Sequence, residues 1–229
     1  MRAKLEVLAL VLGCVGLLGT VLMTALPLWR VSAFIGANLI VMEELQEGLW
    51  MACYRQLNIK MQCKVYNSLL ILPPELQAAR ALACVSIALV FIALLVTGCG
   101  TQKSNCCSDD MKAKNITLAF AGCLYLLSFL TTLIPVSWVA HTVIRNFYNP
   151  TVVDSQKREL GEALFIGWAT SGVLLITGII LLFRFCKQRH NEEQTFHEEF
   201  LMRETDVNKE DSIHVGRSLS ISYRQQEYV

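Results

Sequence analysis

The chain has 229 residues, 54% hydrophobic and 17% charged, with a net charge of +1. Soluble domains carry about 25% charged residues, so this composition belongs to a membrane protein. The near-zero charge, with no concentrated basic stripe, speaks against a nucleic-acid partner, and 5 prolines and 13 glycines speak against a low-complexity chain.

Residues 1–4 are a short basic start, and the first apolar run follows at Leu5–Leu28. It reaches the ~20 residues that a helix needs to cross ~30 Å of hydrocarbon. Arg2 and Lys4 resemble the front of a signal peptide. The run, however, exceeds the ~7–15 residues of a signal core, and no A-x-A site follows it, so it is read as a retained span. Gly13, Gly16 and Gly19 recur along one side, which permits close helix approach in a bilayer.

Residues 29–75 form a polar loop with four short runs, "WRVSAFI", "NLIVM", "GLWMACY" and "KMQCKVY". They are rich in β-branched and aromatic residues and separated by polar or glycine-bearing segments, as in an antiparallel sheet. Cys53 and Cys63 fall within them. Zinc requires about four nitrogen or sulfur ligands, and this loop has no histidine; a redox pair is usually C-x-x-C. The pair is read as a disulfide staple, with no metal and no cofactor. Closing about 11 residues stabilises by ~3 kcal/mol in the chain-entropy account, useful to a sheet with little core of its own.

A second span covers 76–98, preceded by "LPPELQAARAL". Pro74 suits the first helical position and Glu75 the first turn. Residues 99–115 connect to a third span at 116–136, residues 137–162 form a second loop, and a fourth span covers 163–186. Phe147 and Tyr148 stand beside the turn signal "NP", serving either loop packing or a contact surface. Residues 187–229 are polar without apolar periodicity and read as disordered. The spans lack strand alternation, so they are helices, and Trp29, Trp138 and Trp168 suit the membrane interfaces.

Raw counts of Lys and Arg do not settle the orientation, but Lys103, Lys112 and Lys114 are denser in the short middle loop than the five cations of the first loop with its ends counted in, which favours a cytosolic middle loop and cytosolic termini. The Cys53–Cys63 loop is then outside, where disulfides persist. Cys106, Cys107 and Cys186 lie at cytosolic span ends and are candidates for palmitoylation. Cys14, Cys84, Cys99 and Cys123 read as small apolar packers. The sequon Asn115-Ile-Thr117 is cytosolic in this topology and is expected to be unmodified. The 4 histidines are scattered, no nucleophile–base pattern appears, and no enzyme is expected.

Trp29, Gly48-Leu49-Trp50, Cys53 and Cys63, together with "LPPELQAARAL", "IPVSWVAHTVIRNFYNP" and "QKRELGEALFIGW", span residues 5–186. This ordered set resembles the claudin family of tight-junction proteins. The resemblance implies an α-helical membrane protein: a left-handed four-helix transmembrane bundle under a five-stranded extracellular antiparallel β-sheet, four strands from the first loop and one from the second. It also implies association with itself and other claudins, in cis and in trans, in strands that control paracellular permeability.

By the same resemblance, Leu69 is the apolar knob of a lateral contact, with Phe147, Tyr148 and Leu160 of a neighbour as its socket. Lys64, directly after the second cysteine, occupies the position associated with charge selection. A cation there implies a cation-excluding barrier or an anion-preferring pore, with inorganic ions excluded or permeant. The terminal Tyr228-Val229 resembles the ligand of zonula-occludens-type PDZ scaffolds, which bind by strand addition. Glu227 stands where many such ligands carry Ser or Thr, and Cys186 is single where the family commonly has a pair. The Trp–GLW–Cys–Cys core also occurs in peripheral-myelin-type proteins and calcium-channel gamma-type subunits. The alternative is therefore a channel-auxiliary or adhesion four-span protein that forms no strands.

Overall fold

The structure, a computed structural model, describes residues 2–33, 44–56, 60–68, 72–101, 111–153 and 156–226. The chain divides into two compact units, Met1–Phe183 and Arg184–Val229. Its helices are α1 (Arg2–Ala25), α2 (Pro74–Gly100), α3 (Met111–Phe147) and α4 (Glu162–Gln226). Its strands are β1 (Arg30–Ser32), β2 (Glu44–Glu47), β3 (Met51–Arg55), β4 (Gln62–Val65) and β5 (Arg158–Leu160).

Among the described residues, four helical segments are long and apolar enough to cross a membrane: Lys4–Ala25, Pro74–Gly100, Lys112–Phe147 and Glu162–Thr195. Val11, Leu18, Phe91, Phe120 and Ile179 are exposed along them, as expected of side chains whose solvent is lipid. The glycine side of α1 is where its neighbours approach: a Cβ on Gly13, Gly16 or Gly19 would meet Tyr125, Leu174 or Thr170. Ser86 of α2 bonds to the hydroxyls of Ser128 (2.9 Å) and Thr132 (2.6 Å) of α3, all three fully buried. Asn115 of the sequon is buried.

α3 has 37 residues, which at 1.5 Å each is ~55 Å, well beyond a ~30 Å hydrocarbon layer. The sequence reading ends this span at Val136. The helix runs on because the following "SWVAHTVIRNF" keeps an apolar side, with Val139, Ala140 and Val143 in the core. Arg145 in its last turn suits the negative end of the helix dipole. The overhang packs against β5.

The five strands form one antiparallel sheet in the order β4-β3-β2-β1-β5. Four come from the first loop and one from the second. The second described strand is the acidic "ELQE" of Glu44–Glu47; the expected run Asn38–Met42 lies outside the described residues. Glutamate is a poor strand former, but here each terminal glutamate meets an arginine. Glu44 faces its register partner Arg55 at 3.4 Å, and Glu47 lies 3.6 Å from Arg158 of β5. A directly opposed pair such as Glu44–Arg55 stabilises a sheet by ~0.2–1 kcal/mol, whereas Glu47 and Arg158 reach each other across the intervening β1.

One buried cluster joins the sheet to the helices through Met23, Trp29, Leu49, Leu76, Val139 and Leu164. A second, built on Ala9, Val90, Leu118, Tyr125 and Leu174, fills the other end. The second unit is helical up to Gln226, where the sequence reading expects no regular structure. Its content of Glu, Gln, Lys, Arg and Leu has high helix propensity, which a search for an apolar stripe ignores. An exposed i,i+4 pair, Arg189–Glu193 at 3.9 Å, lies on it.

Candidate functional site

The sheet is fastened to the bundle by the sequence-predicted signature residues. Trp29 is fully buried, and its indole N–H donates to the carbonyl of Met23 at the end of α1, 2.7 Å away. Leu49 is also fully buried. Gly48 turns the chain between β2 and β3 against Pro27; a Cβ there would stand 2.4 Å from the Pro27 Cα. Trp50 remains partly exposed and lies under the guanidinium of Arg80, 4.7 Å from the ring centre.

Arg80 and Gly161 are functional parts that sequence reasoning missed. Arg80 of α2 donates from Nε (3.0 Å) and from Nη2 to the carbonyl of Leu49, so one side chain holds the turn by two bonds and a ring contact. A charged residue inside an apolar span was the available signal, since such residues are retained for a partner. Gly161 joins β5 to α4, and a Cβ there would lie 1.9 Å from the Leu28 carbonyl oxygen. Its own N–H donates to Trp29 O at 3.2 Å. Only glycine allows two backbones to pass this closely.

Cys53 and Cys63 are bonded, with Cα atoms 4.0 Å apart. They are direct register partners on β3 and β4, so the bridge locks the edge strand to its neighbour. Cys53 is fully buried while Cys63 is exposed. Lys64, the next residue, faces Ala52 and is exposed, as is the whole of β4.

Most of the other cations on this side are engaged. Arg30 pairs with Glu75 of α2 at 2.5 Å in a nearly buried bridge. Arg55 pairs with Glu44, and Arg158 with Glu47. Lys64 has no acidic partner among the described residues. A cavity of about 550 Å³ lies beneath the sheet, lined by Arg30, Glu47, Tyr66, Leu76, Val143 and Arg158 among others. Burial pushes the Tyr66 phenol up from its ordinary value, the Glu47 carboxylate adds to this, and Arg80 and Arg30 oppose it.

Phe147, Tyr148 and Leu160 come together. They line one groove of about 380 Å³ with Val143, Ile144, Arg158 and Glu159. The two rings meet edge-on at 5.4 Å, and Tyr148 is 79% exposed. Lys157 Nζ lies 6.0 Å from the Phe147 ring. Leu69, Cys106, Cys107, Tyr228 and Val229 lie outside the described residues; Cys186 is exposed. Among the described residues no group of three or more His, Cys, Asp or Glu is placed to hold a metal.

The sequence matches the family model described as PMP-22/EMP/MP20/Claudin over residues 3–181. It is 49% identical over 192 residues to Claudin-17 of Sus scrofa, covering 84% of this chain and 85% of that protein. To Claudin-8 of Mus musculus it is 51% identical over 182 residues, 80% and 81% of the two chains. To Claudin-3 of Homo sapiens the identity is 51% over 181 residues, 79% and 82% of the two.

Proposed function

The chain belongs to the PMP-22/EMP/MP20/Claudin family, and on that premise we propose that it is a structural tight-junction protein whose strands exclude cations from the paracellular path. The sheet faces the intercellular space, where an oxidising medium maintains the Cys53–Cys63 bridge. Both termini face the cytosol. Neighbouring copies, or other claudins, associate through the groove of Phe147, Tyr148 and Leu160, with Leu69 of the next protomer as the knob. Exposed aromatic side chains around an apolar groove support this contact.

One observation carries the charge selectivity. Lys64 stands exposed on the edge strand without an acidic partner among the described residues, while Arg30, Arg55 and Arg158 are each matched by a glutamate. A matched pair presents little net charge beyond a Debye length of ~8 Å, so the exposed lysines of this edge, Lys64 on β4 and Lys60 just before it, set its field. An ion ~4 Å from one charge feels ~1 kcal/mol even at the dielectric constant of water, which gives a several-fold preference. The disulfide fixes this lysine's place on the strand. Tyr228 and Val229 link the strands to PDZ scaffolds of the zonula-occludens type, and Cys106, Cys107 and Cys186 are acylation sites.

The test is expression in junction-competent epithelial cells without their own claudins. Freeze-fracture strands with a chloride-favouring NaCl dilution potential are expected, and Lys64→Asp should move the potential toward sodium. An unchanged potential in Lys64→Asp refutes the selectivity. Absence of strands favours the channel-auxiliary alternative.

A further inference from the structure

The strand registers place five residues in one line across the sheet: Leu160, Arg30, Glu47, Ala52 and Lys64. Directly opposed residues share a face, so Glu47 and Lys64 lie on the same side of the sheet. They are two strand spacings, ~10 Å, apart. Arg158, two residues before Leu160 on β5, is on that face as well. Glu47 is therefore the acid nearest along the row to the selecting lysine.

Two arginines flank this acid, but they are differently committed. Arg30 is nearly buried and spent on Glu75 at 2.5 Å. Arg158 approaches Glu47 at 3.6 Å, and both side chains keep about a quarter of their surface open, 23% and 24%. All three line the cavity beneath the sheet. The Glu47 charge is thus cancelled by a partner on another strand, in contact with water.

We infer that Arg158 is a second determinant of ion selectivity, acting through Glu47: it cancels the carboxylate that would otherwise draw cations onto the Lys64 face. The inference rests on the reading of Lys64 as the selecting charge. A charge ~10 Å away biases an ion by up to about twofold at the dielectric constant of water, before ionic screening over ~8 Å reduces it. Without Arg158 the face carries one exposed cation against one exposed anion. Without Glu47 it carries two cations.

The experiment measures the chloride-to-sodium permeability ratio from dilution potentials in the same claudin-free epithelium, with junctional delivery checked by surface labelling. Arg158→Gln should lower the ratio by up to about twofold, Arg158→Lys should restore it, and Glu47→Gln alone should raise it by up to about twofold, each more at low ionic strength. The double variant Arg158→Gln/Glu47→Gln should return to the wild-type ratio, an outcome that a merely structural role for Arg158 would not produce. If Arg158→Gln fails to reach the junction, Glu47→Gln still decides: no rise overturns the inference. A flat response to Lys64→Gln overturns the underlying reading and the inference with it. A fall with Lys64→Gln but none with Arg158→Gln overturns the inference alone.

Discussion

The guanidinium of Arg80 lies 4.7 Å from the centre of the Trp50 ring while it holds the Leu49 carbonyl. A helix residue thereby fixes both the backbone and the side chain of the β2–β3 turn. Bonds from a charged donor contribute ~1.5–3 kcal/mol, and a partly exposed cation–ring contact ~0.5–1 kcal/mol. Arg80→Leu should therefore destabilise the protein by about 2–3 kcal/mol. Arg80→Lys should lose less, about 1–2 kcal/mol, because it keeps the charge and gives up the planar fork. Thermal midpoints of detergent-purified variants check the order.

Gly161→Ala places a methyl group 1.9 Å from the Leu28 carbonyl oxygen, against backbone that cannot swing aside. It should cost more than ~4 kcal/mol, in the range reserved for gross steric conflict, and abolish surface delivery. Gly172→Ala is the control, since a Cβ there meets nothing within 4 Å. It should change stability by less than ~0.5 kcal/mol. Surface labelling of intact cells separates the two.

Removing the bridge with Cys53→Ser/Cys63→Ser should cost ~3 kcal/mol. A reductant should lower the melting midpoint of the wild type to that of the variant and leave the variant unmoved. The two strands are already register partners, so the helical content of the variant should be unchanged by circular dichroism.

Ser86→Ala removes a fully buried hydroxyl that bonds Ser128 and Thr132. The effect should nevertheless be small, about 0.6 kcal/mol and no more than ~1.7 kcal/mol. Hydroxyl bonds between membrane helices are weak in net terms because the separated helices find other partners. Unfolding in mixed micelles measures it; a loss above ~3 kcal/mol would show that the three hydroxyls act as one unit.

The chain's local properties were legible one element at a time. The four spans follow from length and apolar content, and strand-rich character in the first loop from short runs bounded by turn residues; the fifth strand, from the second loop, came only with the family resemblance. The strand boundaries were less so. β2 forms on Glu44–Glu47, whose propensity is poor, because Arg55 and Arg158 reach it from two other strands. The continuation of α3 to Phe147 was hidden for a related reason: its outer turns are held by the sheet-side core and need no lipid-length hydrophobicity.

In the candidate site, Trp29, Gly48, Leu49, Cys53 and Cys63 were recognisable from the sequence. Arg80 and Gly161 were not. Arg80 is a lone charge near the start of the second span, and its partner lies 31 residues away in sequence. Gly161 looked like any turn glycine until Leu28 passed against it.

By itself the sequence determined the membrane class, the number of crossings and the cysteine pair of the first loop, because hydrophobic length and residue type are local quantities. Only the tertiary structure decided which charges cancel. The cations and acids of the first loop nearly balance on paper, yet Arg30 finds Glu75 45 residues away and Glu47 finds Arg158 on β5. Coulomb attraction falls with distance and is screened within ~8 Å, so register and packing, which composition does not encode, settle which of the described charges are paired.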